Sequence, residues 1–209
     1  AEQSRAEQSR AEQSRAEHEL TGVPSIDKPW LKYYSEEAIR TPLPQKTLYR
    51  YLYENNQNHM ESIALNYFGK RITYQKLFEH IKEIADAFTM AGIKCGDIVT
   101  ILSLITPETI YCIYALNYIG AVANMGYLSL SEDEIVQMVE KTNSKAIIVL
   151  DIAAEKVIHV QERLTSERMI ILPVESSMPW LMKAIVKMKK KKLHNDGKQV
   201  LTYPSFIKK

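Results

Sequence analysis

The sequence is most informative in what it lacks. Two cysteines in 209 residues, Cys95 and Cys112, exclude a disulfide framework, and their separation fits neither a metal nor a redox motif. Such sparse use fits a reducing compartment. The first 20 residues are polar and lack the apolar core of a signal peptide, so a cytoplasmic setting is expected. Long apolar runs are missing as well. The most apolar stretch, 98–123, is interrupted by Pro107 and Glu108 and falls short of the ~18 uncharged residues that a membrane-spanning helix needs. The five histidines, His18, His59, His80, His159 and His194, include no pair at metal-ligand spacing. No Gly-x-Ser-x-Gly occurs, and Ser103, Ser129 and Ser131 have no neighbouring histidine in sequence. No catalytic, cofactor-binding or metal-binding residue is therefore assigned.

What remains is the composition of a folded protein, 45% hydrophobic and 25% charged. The net charge of +2 is unevenly distributed. Residues 183–209 carry nine lysines against one aspartate, and the body that precedes them is mildly acidic. Four stretches are expected. Residues 1–20 are an AEQSR repeat whose five-residue period never builds one helical face, so a solvated helix or disorder is expected there. Residues 21–29, with Gly22, Pro24 and Pro29, read as a linker. Residues 30–175 read as an α/β subdomain. Residues 176–209 read as a basic amphipathic helix and tail.

The alternation of patterns sets the fold class. Thr47 is placed to cap a helix over 48–56. Residues 63–67 alternate as a strand, Gly69 and Lys70 turn, and 71–73 return. Leu77, Phe78, Ile81, Ile84, Ala85 and Phe88 share a helical face that Gly92 terminates. A continuous apolar strand is predicted over 98–104, then a helix with Pro107 at its first position that ends at Gly120. A strand over 121–125 follows. Ser131 and Glu134 form a capping box for a helix reaching Lys141. A strand over 146–150, a helix capped by Asp151 and a last strand over 169–172 complete the series. This succession predicts an α/β fold with a mostly parallel sheet flanked by helices.

Other residues invite functional readings. Glu132, Asp133 and Glu134 fit a helix first turn better than a cation site. Tyr111, Tyr114 and Tyr118 share a helical face, and Tyr49, Tyr51 and Tyr53 lie in one helix. They read as half-buried packing, with a ligand groove or docking stripe as the alternative. Over 178–192, Trp180, Leu181, Ala184, Ile185 and Met188 oppose Lys183, Lys187, Lys190 and Lys191. That pattern suits a helix covering the sheet, and also suits an anionic membrane surface. No base-stacking aromatics accompany the lysines, so nucleic acid is not an expected partner.

Three segments together resemble the front part of the AMP-forming (adenylate-forming) acyl-CoA synthetases. Ala64 to Gly69, leading into Ile72-Thr73-Tyr74-Gln75-Lys76-Leu77, is similar to an opening motif in which a hairpin runs into Leu-Thr-Tyr-x-Glu-Leu. Ala91-Gly92-Ile93-Lys94-Cys95-Gly96-Asp97-Ile98-Val99 resembles the Gly-Val-x-x-Gly-Asp-x-Val entry to a central strand. Ala115-Leu116-Asn117-Tyr118-Ile119-Gly120-Ala121-Val122, followed by the Ser131 helix and Ala146-Ile147-Ile148-Val149, resembles the next motif and its strand. Asp27-Lys28-Pro29-Trp30-Leu31 is similar to the family's lead-in. Lys76 stands where the family has Glu, which removes half of a capping box.

The resemblance implies the front subdomain of the large N-terminal domain of such a ligase. It also implies an acid–thiol ligase as the whole enzyme, using ATP, Mg²⁺ and CoA, with none of the three assigned to this chain. The family's glycine-rich phosphate loop ending in Pro-Lys-Gly has no counterpart here: after Gly126 the one glycine is Gly197. The expected partners are the remainder of the ligase and, for the isolated fragment, other copies of itself. An interaction module with a membrane- or protein-binding tail over 178–192 is the alternative.

Overall fold

The structure, a computed structural model, describes residues 21–166, 168–173 and 200–208. The AEQSR repeat and the amphipathic pattern over 178–192 lie outside the described residues. The chain divides into two compact units, Ala1–Pro44 and Gln45–Lys209.

In the first unit, α1 (Pro24–Asp27), a 3-10 turn (Pro29–Tyr33) and α2 (Glu36–Arg40) follow one another and bury no residue. The stretch read as a linker thus contains a short helix. Asp27 stabilises its entry by accepting from the Thr21 and Gly22 amides, each at 2.9 Å, and from the Thr21 hydroxyl at 2.7 Å. Ser35 caps α2.

The second unit begins with α3 (Leu48–Asn56), capped by Thr47, and a hairpin of β1 (Ile63–Tyr67) and β2 (Lys70–Thr73). Thr73 caps α4 (Tyr74–Met90), and Lys76, in place of the family's Glu, pairs with Glu79 at 2.6 Å. The predicted apolar face is buried, with Ile81, Ile84 and Phe88 fully covered. The helix stops as its sequence predicts. Gly92 at φ +82° takes the left-handed position, so the Gly92 amide reaches Thr89 and the Ile93 amide reaches Phe88. The same closure recurs at Gly120, φ +79°, after α5 (Pro107–Tyr118).

Five parallel strands form the sheet: β3 (Ile98–Leu102), β4 (Val122–Gly126), β5 (Ala146–Leu150), β6 (Arg168–Leu172) and β7 (Val200–Thr202). Their spatial order is β4-β3-β5-β6-β7. Among the described residues the further α-helices are α6 (Glu132–Thr142), α7 (Asp151–His159) and α8 (Tyr203–Ile207). β5 is buried at every position, as a central parallel strand with both faces covered must be. Alternation divides its side chains between two cores. Ala146, Ile148 and Leu150 join one core with the buried faces of α4 and α5. Ile147 and Val149 join the other with Ile135, Val139, Ala154 and Val157 of α6 and α7.

Three expectations are corrected. β3 ends at Leu102 and not at 104, because its register with β4 stops at the Leu102–Gly126 pair. Asp151 is the first residue of α7 and Leu150 holds the cap position, so Asp151 is not the cap. Residues 200–207, assigned to the tail, supply β7 and α8, and Phe206 lies buried against Phe88 with ring centroids 5.1 Å apart. The parallel ladder to β6 organises this short run.

Candidate functional site

The strand order fixes where a parallel sheet of this kind can present a site. From β3 the chain passes through α5 on one face to β4, then through α6 on the opposite face to β5. The connections leaving β3 and β5 therefore diverge, and the carboxyl ends of these two strands are where a sheet of this topology places a ligand crevice.

The residues at that crevice are largely committed to one another. The Ser103 hydroxyl donates to the Leu104 carbonyl at 3.0 Å and lies 2.6 Å from the Thr109 hydroxyl. Thr106 caps α5 by accepting from the Thr109 amide, and both threonines are buried. Glu108, 4% exposed, places a carboxylate in the first turn of α5, where the helix dipole favours it. Burial first, and then the Glu108 charge, push the Tyr111 hydroxyl and the Cys112 thiol well above their ordinary ranges. Cys112 thus stays protonated, in keeping with its reading as a small buried hydrophobe.

The loop after β4 is held from a distance. Lys156 of α7 donates from Nζ to the carbonyls of Leu128 at 3.2 Å and Leu130 at 2.7 Å. Beside it, Glu132 meets His159 at 3.3 Å and Asp133 meets Arg163 at 2.7 Å. Glu134 closes the capping box with Ser131, whose backbone and hydroxyl hydrogen bonds hold its carboxyl below the usual range. The acidic triplet is thereby spent on capping and pairing. Among the described residues no cluster of three His, Cys, Asp or Glu side chains suits a metal ion.

The opposite, amino end of the sheet carries a cavity of about 320 Å³ lined by Asp97, Thr142, Asn143, Ser144, Lys145 and Thr165. A chain of side-chain hydrogen bonds runs beside it. Asn124 donates to Thr100 at 3.1 Å, Thr100 and Ser144 lie 2.7 Å apart, as do Ser144 and Thr142, and Thr142 donates to the Met138 carbonyl at 2.8 Å. With Thr142 committed to a carbonyl, the three hydroxyls can all donate in one direction, which satisfies this buried polar set internally.

Tyr49, Tyr53 and Tyr118 take part in packing. Tyr49 meets Tyr118 edge to face at 4.8 Å, and Tyr53 meets Phe78 at 5.0 Å, which docks α3 on α4 and α5. The Tyr49 amide also donates to Asn117. Tyr111 is buried and stacked on His80 at 4.9 Å, whereas Tyr118 is exposed. Of the remaining histidines, His59 donates its amide to Asn56. His18 and His194 lie outside the described residues. The Lys156 clamp was not expected from the sequence. Its donor and acceptors are separated by 26 and 28 residues, and a lone lysine on a helix gives no local signal.

The geometry thus defines a doubly wound parallel α/β unit whose strand order switches direction between β3 and β5. The AMP-binding enzyme family model matches residues 52–202, and the chain belongs to that family. It is 23% identical over 181 residues to a long-chain-fatty-acid–CoA ligase of Bacillus subtilis, covering 86% of this chain and 32% of that protein. It is 33% identical over 101 residues to an acetyl-coenzyme A synthetase of Bartonella quintana, covering 47% and 16%. Among solved structures, a coronafacic acid ligase of Pectobacterium brasiliense aligns with a TM-score of 0.62 at 19% identity, covering 78% of this chain and 29% of that one. A benzoate CoA ligase of Burkholderia xenovorans aligns at 0.56 and 20%, covering 60% and 25%. The chain therefore spans about a third or less of the length of these relatives. No helix among the described residues is long and apolar enough to cross a membrane.

Proposed function

We propose that this chain is the leading part of an AMP-forming acid–thiol ligase, one that activates a carboxylic acid as its acyl-adenylate and transfers the acyl group to CoA. The family match over residues 52–202 carries this reading. Within the whole enzyme the chain's part is structural, supplying one parallel sheet of the large domain. It is not competent alone, and a cytoplasmic setting goes with this role. The crevice does not fit a nucleoside triphosphate: the turn from Ser103 to Thr106 has no glycine to let the backbone approach the phosphates. Among the described residues no cluster of acidic side chains suits Mg²⁺. No step through ATP, Mg²⁺ or CoA is therefore assigned to these residues.

Calorimetric titration of the chain with ATP tests the claim, with no saturable micromolar binding expected. Saturable binding in that range would overturn it. A second reading rests on the lysine-rich stretch 183–192, which suits an anionic membrane. It requires salt-sensitive co-sedimentation with phosphatidylserine vesicles that is lost when 178–209 is removed.

A further inference from the structure

The hairpin of β1 and β2 places an aromatic ring where the backbone favours a small residue. Tyr67 pairs with Lys70, which leaves Phe68 and Gly69 as a two-residue loop. Both are left-handed, at φ +50° and +84°, and the Asn66 side chain accepts from the Gly69 amide at 3.2 Å. Asn-Gly or Gly-Gly is the usual choice for such a loop, because a Cβ at its first position crowds the following carbonyl oxygen. Besides glycines, Lys28, Phe68 and Asn143 have positive φ among the described residues, and of these Phe68 alone is apolar. Burial does not explain the ring. Phe68 is 57% exposed and meets the Tyr67 ring edge to face at 4.6 Å, and the space beside Gly69 is open. Lys70 and Arg71 follow, both exposed, and neither makes an ion pair among the described residues. From Ser62 to Lys76 the chain has no acidic residue. A strained conformation kept at an exposed position is a pointer to use.

We propose that this hairpin tip is a contact for an anionic lipid surface, with Phe68 entering the interface, Tyr67 at headgroup level, and Lys70 and Arg71 paired with lipid phosphates. The tip is convex. A protein partner would need a matching pocket for it, whereas a lipid interface opens around a single ring. The unbalanced positive charge selects an anionic surface over a neutral one. One ring and two cations bind weakly by themselves, and membrane attachment commonly takes two signals. The proposal is independent of the ligase reading and adds a second contact to the membrane reading above.

The test is co-sedimentation of the whole chain with vesicles of phosphatidylcholine containing about one-third phosphatidylserine, and with phosphatidylcholine alone. Phe68→Asn puts a residue suited to the left-handed position in place of the ring, so its thermal unfolding midpoint should equal or exceed that of the unaltered chain. Its partitioning onto the anionic vesicles should fall about fivefold. Lys70→Gln combined with Arg71→Gln should lower partitioning onto the anionic vesicles and leave that onto the neutral ones unchanged. A lower midpoint for Phe68→Asn would mean that packing holds the ring in place, and overturns the proposal. Partitioning of Phe68→Asn within about twofold of the unaltered chain also overturns it, and leaves the ring to a protein partner. Changing Lys183, Lys187, Lys190 and Lys191 together to Gln separates the two membrane contacts. Binding lost in that variant and kept in Phe68→Asn refutes the hairpin tip alone. Binding lost in Phe68→Asn and kept in the lysine variant refutes the lysine-rich stretch alone.

Discussion

The two ends of the parallel sheet are built on opposite principles. At the amino end, Asn124, Thr100, Ser144 and Thr142 hand hydrogen bonds from one to the next until the Met138 carbonyl ends the series. At the carboxyl end, hydroxyls and a lysine secure the loops, and the apolar side chains on those loops face outward. One end is chemically closed on itself and the other is not. An element that must only hold a fold together can satisfy every polar group it buries. An element that must receive something leaves surface uncommitted.

Substitutions should separate the two ends by their effect on stability. Ser144→Val removes the middle of the polar series and strands its buried neighbours. It should lower unfolding stability by about 2–3 kcal/mol in urea titration. A loss below ~0.5 kcal/mol would break the comparison. Gly120→Ala, at the same end, forces a side chain onto a left-handed residue and puts its Cβ 2.7 Å from the Cys95 sulfur. The expected cost is about 2 kcal/mol. Combining it with Cys95→Gly should recover the part due to the clash and leave the part due to the backbone.

At the carboxyl end, Lys156→Met should cost about 1–2 kcal/mol. It should also speed amide exchange in 127–131 more than in β5, and a uniform increase would mean that the clamp has no local role. Ile105→Gln and Ile152→Gln should each change stability by less than about 0.5 kcal/mol, since neither side chain is buried. A larger loss would place both residues in the core.

The smallest expected effect is that of pH on α6. The Glu134 carboxyl is held below its ordinary range by Ser131. Its contribution is therefore full above the ordinary carboxylate pKa and fades as pH falls through the lower folded value. Protection from exchange at the start of α6, corrected for the intrinsic rate, should fall as pH drops below the ordinary carboxylate pKa, and Glu134→Ala should flatten that dependence.

The legible parts of the fold were those with local causes. Thr47 and Ser131 cap helices where the sequence places them, because a cap needs partners only two or three residues away. β1 and β5 have their expected bounds because alternation or continuous apolarity marks them. β7 escaped because three residues after a lysine-rich stretch show no period of their own, and only the ladder with β6 gives them meaning. The polar series escaped for a similar reason. Thr100 and Ser144 are 44 residues apart, and each alone reads as an ordinary strand or turn residue. At the candidate site, Pro107 at the helix start and the acidic capping box were visible. The exposure of Leu104 was not, because Leu104 read as the last residue of β3.

The strand order also governs how the protein emerges from the ribosome. β3 is synthesised first and becomes an interior strand, and the sheet then widens past it through β5, β6 and β7 in order of synthesis. Every intermediate length thus carries a fresh open edge on the growing side, and that edge closes only when the next strand is made. A nascent chain that has emerged only as far as residue 173 would present the backbone of β6 in place of its ladder to β7. Ribosome-associated chaperones should engage that species more strongly than one that has emerged through residue 208.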